Sequence, residues 1–166
     1  STLQQPSDPL VCFEKTGNQR FDQRVWKIVG ILLKDIGVGL KKEILKNEKI
    51  SQNYFKITLD ISEDSDLPVP GQFYNIKCSD TNDPLIRRPF SLHRWFKDGK
   101  SIHMEILYRV VGKGTGWLSR RKKGEWLDMI GPLGNGFIFE EDVTDVVLVA
   151  RGIGIAPLYS VAEGYF

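Results

Sequence analysis

Apolar and polar residues alternate with period two through the middle of the chain, from Lys41 onward. The alternation is clearest where Phe55, Ile57, Leu59 and Ile61 take turns with Lys56, Thr58 and Asp60. A period of two places one set of side chains on a buried face and the other in water, so this segment predicts a half-buried strand. An acidic turn at residues 63–66 leads through Pro68, Pro70 and Gly71 into a second strand over residues 72–78, and a third straddles Ser91. Ile102, Met104, Ile106 and Tyr108 alternate with His103 and Glu105 in a fourth, and residues 126–130 make a fifth. Short strands at regular spacing with Gly and Pro between them predict a closed antiparallel barrel or a sandwich.

The two ends of the chain follow other patterns. Residues 1–24 are polar and turn-rich and read as an extended arm. Residues 25–40 repeat apolar positions at helical spacing (Val25, Ile28, Val29, Leu32, Ile36), but Gly30, Gly37 and Gly39 weaken a helix there, so helix and strand both stay open. Near the other end, Asp145-Val-Val-Leu-Val-Ala150 is apolar without alternation, which predicts a strand buried on both faces of a parallel sheet. Gly152-Ile-Gly154-Ile-Ala-Pro157 and a short helix over residues 157–163 follow it. A strand, a glycine turn and one helix make only the start of an α/β nucleotide-binding unit. The reading is therefore three segments: an N-terminal extension over 1–40, a barrel over 41–138, and the beginning of an incomplete nucleotide-binding domain over 139–166.

Composition narrows the function classes. With 166 residues, 41% hydrophobic and 27% charged, the chain is ordinary globular material, which excludes disorder, collagen and coiled coil. Its 23 Lys+Arg against 21 Asp+Glu give no electrostatic case for nucleic acid or an anionic membrane. The longest charge-free apolar run, Ile28-Val-Gly-Ile-Leu-Leu33, is far below the ~18 residues that span a bilayer. The opening residues lack a basic segment and an apolar core, so no signal peptide is expected, and the reading is a cytoplasmic chain with reduced cysteines. Cys12 and Cys78 alone cannot hold a zinc ion or an iron–sulfur cluster.

The candidate chemistry lies in short motifs. Arg87-Arg-Pro-Phe-Ser91 sets two guanidiniums before an extended Pro-Phe-Ser, and such groups grip phosphate oxygens or stand solvated at a strand end. Ten of the sixteen glycines follow residue 110, where backbone approaches a ligand or simply turns tightly. Tyr108-Arg-Val-Val-Gly-Lys-Gly114-Thr-Gly-Trp predicts a strand turning into a helix with Thr115 as its N-cap, and a helix start offers free N–H groups to an anion. Arg120-Arg-Lys-Lys123 then reads as a solvated helix end. Gly131-Pro-Leu-Gly-Asn-Gly-Phe137 is a loop of successive turns connecting domains. Gly152 and Gly154 lack the third glycine of a dinucleotide fingerprint and gain weight only from the strand before them. His93 and His103 read as structural, Cys78 as an inert buried thiol, and no catalytic residue or metal-ligand set stands out.

In this order, Pro70-Gly-Gln-Phe73, Arg87-Arg-Pro-Phe-Ser91, Leu107-Tyr-Arg109, Gly114-Thr115, Gly131-Pro-Leu-Gly-Asn-Gly-Phe137 and Gly152-Ile-Gly-Ile-Ala-Pro157 resemble the ferredoxin reductase superfamily. Within it they are most similar to electron-transfer subunits of dihydroorotate dehydrogenases. The resemblance covers residues 41–166. It implies a mainly β protein: an antiparallel six-stranded flavin-binding barrel, then the start of a Rossmann-like nucleotide-binding domain. It implies FAD as cofactor, with Arg88 on the diphosphate, Pro89 and Phe90 lining the isoalloxazine, and Ser91 near its redox-active edge. Leu107, Tyr108 and Arg109 would line the cofactor from the next strand, Gly114 and Thr115 would meet the diphosphate, and Gly152 and Gly154 would belong to the NAD(P)H turn. Electrons would pass from NAD(P)H through FAD to a [2Fe–2S] centre and a partner redox subunit.

Three departures accompany the resemblance. The family's cluster cysteines and the rest of its nucleotide domain are not in the sequence, and Arg151 stands where the family usually has glycine. The expectation is a fragment that keeps the flavin site but not the full reaction, whose unfinished parallel sheet leaves an edge that could pair with a second copy. The alternative is a flavin-free reductase-like module serving in assembly; a plain ligand-binding barrel leaves the glycine turn after Val149 unexplained.

Overall fold

The computed structural model describes residues 39–138, except 65, 82 and 84, and residues 145–165. The segment expected to form an arm and a helix or strand over residues 1–38 lies outside the described residues.

Seven strands form one antiparallel sheet: β1 (Leu40–Ser51), β2 (Tyr54–Asp60), β3 (Phe73–Ile76), β4 (Arg88–Ser91), β5 (Arg94–Asp98), β6 (Ser101–Arg109) and β7 (Trp126–Leu133). Their order is β4-β3-β7-β1-β2-β6-β5. The first and last strands in that order are successive segments of the chain, separated only by Leu92 and His93. Both of these residues are buried, and two consecutive buried positions break the alternation and bend the strand. The amide of Leu92 still donates to Gln72 on the β3 side, and that of His93 donates to Glu105 on β6. The strand expected around Ser91 is therefore two, and the six-stranded expectation becomes seven. β4 and β5 join end to end rather than by a ladder. β1 bends in the same way, with Leu40–Glu43 paired to β7 and the stretch from Ile44 onward paired to β2.

The core fills the space this sheet encloses. β2 and β6 pair in unbroken register, Ile57 opposite Ile106 and Leu59 opposite Met104, so their apolar faces run side by side. Ile44, Ile61, Tyr74, Ile76, Cys78, Leu92, Leu118, Leu127 and Met129 are buried with them. Burying a side chain of this size gives about 1.5–3 kcal/mol each.

Two motifs prominent in the sequence turn out to be each other's packing partners. The Phe137 amide donates to the Pro70 carbonyl at 2.9 Å, and the Gln72 side chain donates to the Gly134 carbonyl at 3.0 Å. Gly71 sits at φ +97° with the Phe137 backbone 3.0 Å from where a Cβ would stand. The loop after β7 is thus pinned to the turn before β3, a structural role for both.

Among the described residues, two helices lie outside the sheet: α1 (Lys113–Leu118) after β6, and α2 (Ile155–Tyr165) after a 3-10 turn (Gly152–Gly154). Two expectations are corrected here. The N-cap of α1 is Gly112, and Thr115 stands at the third helical position. Its hydroxyl accepts from the Val111 and Gly112 amides at 3.0 and 3.2 Å, closing the first turn from inside the helix. Residues 145–150, expected as a buried strand, pair with no described strand, and Val147 and Val149 are 86% and 84% exposed. A continuous apolar run becomes a central strand only where neighbouring strands cover it, and none of the described ones does. Nor do these residues present a sheet edge. The helix expected over 157–163 is present and longer.

Candidate functional site

Strand alternation sorts the Arg87–Ser91 motif. Phe90 points into the core, its ring edge-on to Tyr108 at 5.8 Å, while Pro89 and Ser91 point outward. On β6, Tyr108 points inward, stacked on Phe55 at 5.8 Å, and Leu107 and Arg109 point outward. β4 and β6 therefore bring their outward residues to one place. A cleft of about 420 Å³ opens there, with Pro89, Phe90, Ser91, Leu107, Tyr108 and Arg109 as its floor. Val111 and Thr115 close one side, and Ile153, Gly154, Ala156 and Pro157 cover it from the start of α2. The volume lies in the range of small-molecule sites.

Eight of the eleven residues picked from sequence line this cleft: Pro89, Phe90, Ser91, Leu107, Tyr108, Arg109, Thr115 and Gly154. Arg88, Gly114 and Gly152 are not among the lining residues. Gly114 is buried inside α1, and Gly152 sits at φ +59° beside the Tyr54 hydroxyl. Arg88 turns its guanidinium to the Ile86 carbonyl at 2.8 Å, and its charge acts on Cys78. A second hollow of about 410 Å³, also bordered by α1, lies at Cys78, Asp83, Gly112, Lys113, Gly116, Trp117 and Arg120.

The two adjacent arginines have different tasks. Arg87 makes a two-point contact with Asp128, to its carbonyl and its carboxylate, both at 2.8 Å, and so locks the entry of β4 to β7. Arg88 and Arg109 have no carboxylate partner among the described residues. Arg109 instead lies over the Tyr54 ring at 5.8 Å, at the rim of the cleft. Tyr54 was not singled out by sequence reasoning. The signal that could have found it is its place directly opposite Arg109 in the β2–β6 register.

Buried groups around the cleft are held neutral or paired. Burial pushes the Tyr108 phenol well above its ordinary range, although its hydrogen bond to Asn47 at 3.0 Å pulls the other way. Burial also pushes the Cys78 thiol up to about 11, against the pull of Arg88 and Arg87. His93 donates from Nδ1 to the Ala156 carbonyl at 3.0 Å, with its ring 4.6 Å from that of Tyr159. Of the basic run after α1, Arg121 is half-buried over the Trp117 ring at 4.3 Å rather than solvated. Among the described residues, no group of His, Cys, Asp and Glu could hold a metal, and no helix is long and apolar enough to cross a membrane.

This arrangement suits a flat aromatic ligand with an anionic tail. The slot has apolar and aromatic walls, the Ser91 hydroxyl, and at its rim Arg109, which has no carboxylate partner among the described residues. At the roof, beside Ile153, Ala156 and Pro157, a Cβ added at Gly154 would meet nothing within 4 Å, so the absent side chain leaves open space there.

No family profile matches the chain. It is 41% identical over 116 residues to the electron transfer subunit of dihydroorotate dehydrogenase B (NAD(+)) from Desulforamulus reducens, covering 70% of this chain and 44% of that one. The corresponding Geobacillus kaustophilus subunit is 40% identical over 130 residues, covering 76% of this chain and 49% of that one. The chain thus spans about half the length of the curated relatives it matches. Among solved structures, an NADH-dependent reduced ferredoxin-NADP oxidoreductase, described in the context of flavin-based electron bifurcation, is 32% identical with a TM-score of 0.64. It is covered over 43% of its length by 75% of this chain. Phthalate dioxygenase reductase, at 22% identity and a TM-score of 0.61 over 78% of this chain and 40% of its own, shares the fold. At 41% and 40% identity over 116 and 130 residues, the chain is homologous to part of the dihydroorotate dehydrogenase B electron transfer subunits, and its fold is ferredoxin reductase-like.

Proposed function

We propose that the cleft between β4, β6 and the start of α2 holds the FAD of an NAD(P)H-dependent electron-transfer protein. The observation that carries this reading is convergence: two motifs eighteen residues apart in sequence, at Ser91 and Arg109, present their outward side chains to one slot. Pro89, Leu107 and the edge of Phe90 would line one side of the bound ring system and keep water from it. Ser91 offers a hydroxyl to the ring edge, and Arg109 at the rim meets the anionic chain. Arg88, near the second hollow beside α1, is placed to meet phosphate or ribose beyond the ring. Bound FAD supplies the chemistry of accepting two electrons as hydride and releasing them singly.

The relatives' size and names extend the proposal to the complete protein. There, electrons arrive from NAD(P)H at a domain that residues 139–166 begin, and leave through a [2Fe–2S] centre to a partner subunit. A cytoplasmic setting accords with Cys78 as a free, buried thiol.

The test is the visible spectrum of the purified chain after equilibration with FAD and removal of the unbound portion. A retained flavin band, weakened roughly tenfold in affinity by Arg109→Ala, is the expected result. A well-folded sample that retains no flavin rejects the reading for this chain and favours an assembly module.

A further inference from the structure

Glu105 is an outward-facing carboxylate on β6 that is nevertheless only 5% exposed, held between Lys56 of β2 and Arg94 of β5. Burying a carboxylate is costly unless both oxygens find charged partners. They do: Oε1 lies 3.1 Å from Lys56 Nζ, and Oε2 accepts from Arg94 Nε at 2.8 Å. The same guanidinium reaches over to α2 and donates from Nη1 to Glu163 Oε1 at 3.0 Å. Its flat face lies over Phe96 at 4.7 Å and Tyr159 at 5.8 Å, which fixes its plane as well as its position.

This cluster shares a face with the cleft. Glu105, Leu107 and Arg109 follow one another at every second position of β6 on the side that points outward. α2 crosses that side. Its first turn covers Leu107 and Arg109, and its later turns carry Tyr159 and Glu163 onto Arg94. The anchor of the helix and the roof of the cleft are thus two ends of one short rigid rod.

We propose that Arg94 is a positioning residue: by joining Glu105 of the barrel to Glu163 of α2, it sets the height of Ala156 and Pro157 over the cleft floor. The proposal rests on the cofactor reading for what fills the cleft. Arg94 itself does not line the cleft, so its effect on a ligand passes through the helix.

The experiment compares the chain with its Arg94→Ala, Arg94→Lys and Glu163→Gln variants in two ways. Hydrogen exchange in the flavin-free protein reads the seating of α2, and titration with FAD reads affinity and the shape of the bound flavin's visible band. Arg94→Ala is expected to speed amide exchange over residues 156–164 roughly tenfold while β2 and β6 amides keep their rates. It should also weaken FAD binding several-fold and shift the visible band toward that of free flavin. Arg94→Lys, which can keep one carboxylate but not both, falls between, and Glu163→Gln reproduces part of the effect on α2. Unchanged exchange over α2 in Arg94→Ala overturns the proposal. So does faster exchange with an unaltered FAD affinity and spectrum, because the helix would then not set the cleft. If the unmodified chain binds no FAD, the cofactor reading fails on its own, and exchange in the flavin-free protein still decides whether Arg94 seats the helix.

Discussion

Tyr108 and Asn47 tie the floor of the cleft to the helix beside it. The phenol donates to Asn47 Oδ1 at 3.0 Å, and Asn47 Nδ2 donates to the carbonyls of Leu118 and Arg121, each at 2.9 Å. One amide side chain on β1 therefore satisfies the last turn of α1 and the aromatic residue under the cleft together. Asn47→Ala takes this partner from the Arg121 carbonyl and a buried phenol, while the Leu118 carbonyl keeps the Arg121 amide at 3.0 Å, and should cost about 2 kcal/mol, within the range for unsatisfied buried groups. Tyr108→Phe removes one bond and should cost about 1 kcal/mol. Urea unfolding midpoints with unchanged slopes would check both.

Gly131 lies under the Tyr74 ring. Its φ is +157°, and a Cβ there would come 2.3 Å from Tyr74 Cδ1. Tyr74 is fully buried and has no room to retreat. Gly131→Ala should destabilise the chain by on the order of 2–3 kcal/mol through overpacking, and the double variant Gly131→Ala, Tyr74→Leu should recover part of that loss in thermal melts.

Arg87 and Arg88 should separate cleanly under substitution. Arg87→Ala removes the two contacts to Asp128 and should lower stability by about 1 kcal/mol, the modest figure that a half-exposed pair supports. Arg88→Ala touches only the Ile86 carbonyl and should leave the melting curve within error while lowering FAD retention. A stability loss at Arg88 equal to that at Arg87 would remove the distinction.

Cys78 contributes an alkaline pH dependence. Its thiol, pushed up to about 11 from 9.0 by burial, binds its proton more tightly when folded. The sign follows: that contribution to stability is complete below pH 9 and is lost as pH rises toward 11. In a Cys12→Ser background, a thiol reagent should label the native chain slowly at pH 8 and much faster in denaturant. Rapid native labelling at pH 8 would contradict the burial.

The sequence reveals some elements more readily than others, and the reasons are physical. β2 and β6 were legible because their inward residues pack on the core along almost the whole of their unbroken pairing, so their alternation is complete. β1 was not, since its twelve residues bury only Lys42 and Ile44, and the inward lysine is neutralised by Asp64 from a distant turn. The bend between β4 and β5 hides in Leu92 and His93, which look like any apolar and polar pair. Thr115 looks like an N-cap because hydroxyls favour that position, yet here the hydroxyl reaches back from inside the helix to a glycine cap. The cleft floor was visible as motifs. Its roof was visible only as the Gly152–Pro157 motif, read as the NAD(P)H turn; that Gly154, Ala156 and Pro157 stand over this cleft depends on the His93, Tyr159 and Arg94 contacts that seat α2.

The bent strands β1 and β4–β5 each serve two ladders, so neither half of the barrel has a complete set of neighbours without the other. Separate melting of the β3, β4, β7 half from the β2, β5, β6 half would strand one end of each shared strand with unpaired amides. The barrel should therefore lose its structure in a single step, with tryptophan fluorescence from Trp95 on β5 and Trp126 on β7 falling along the same denaturant curve.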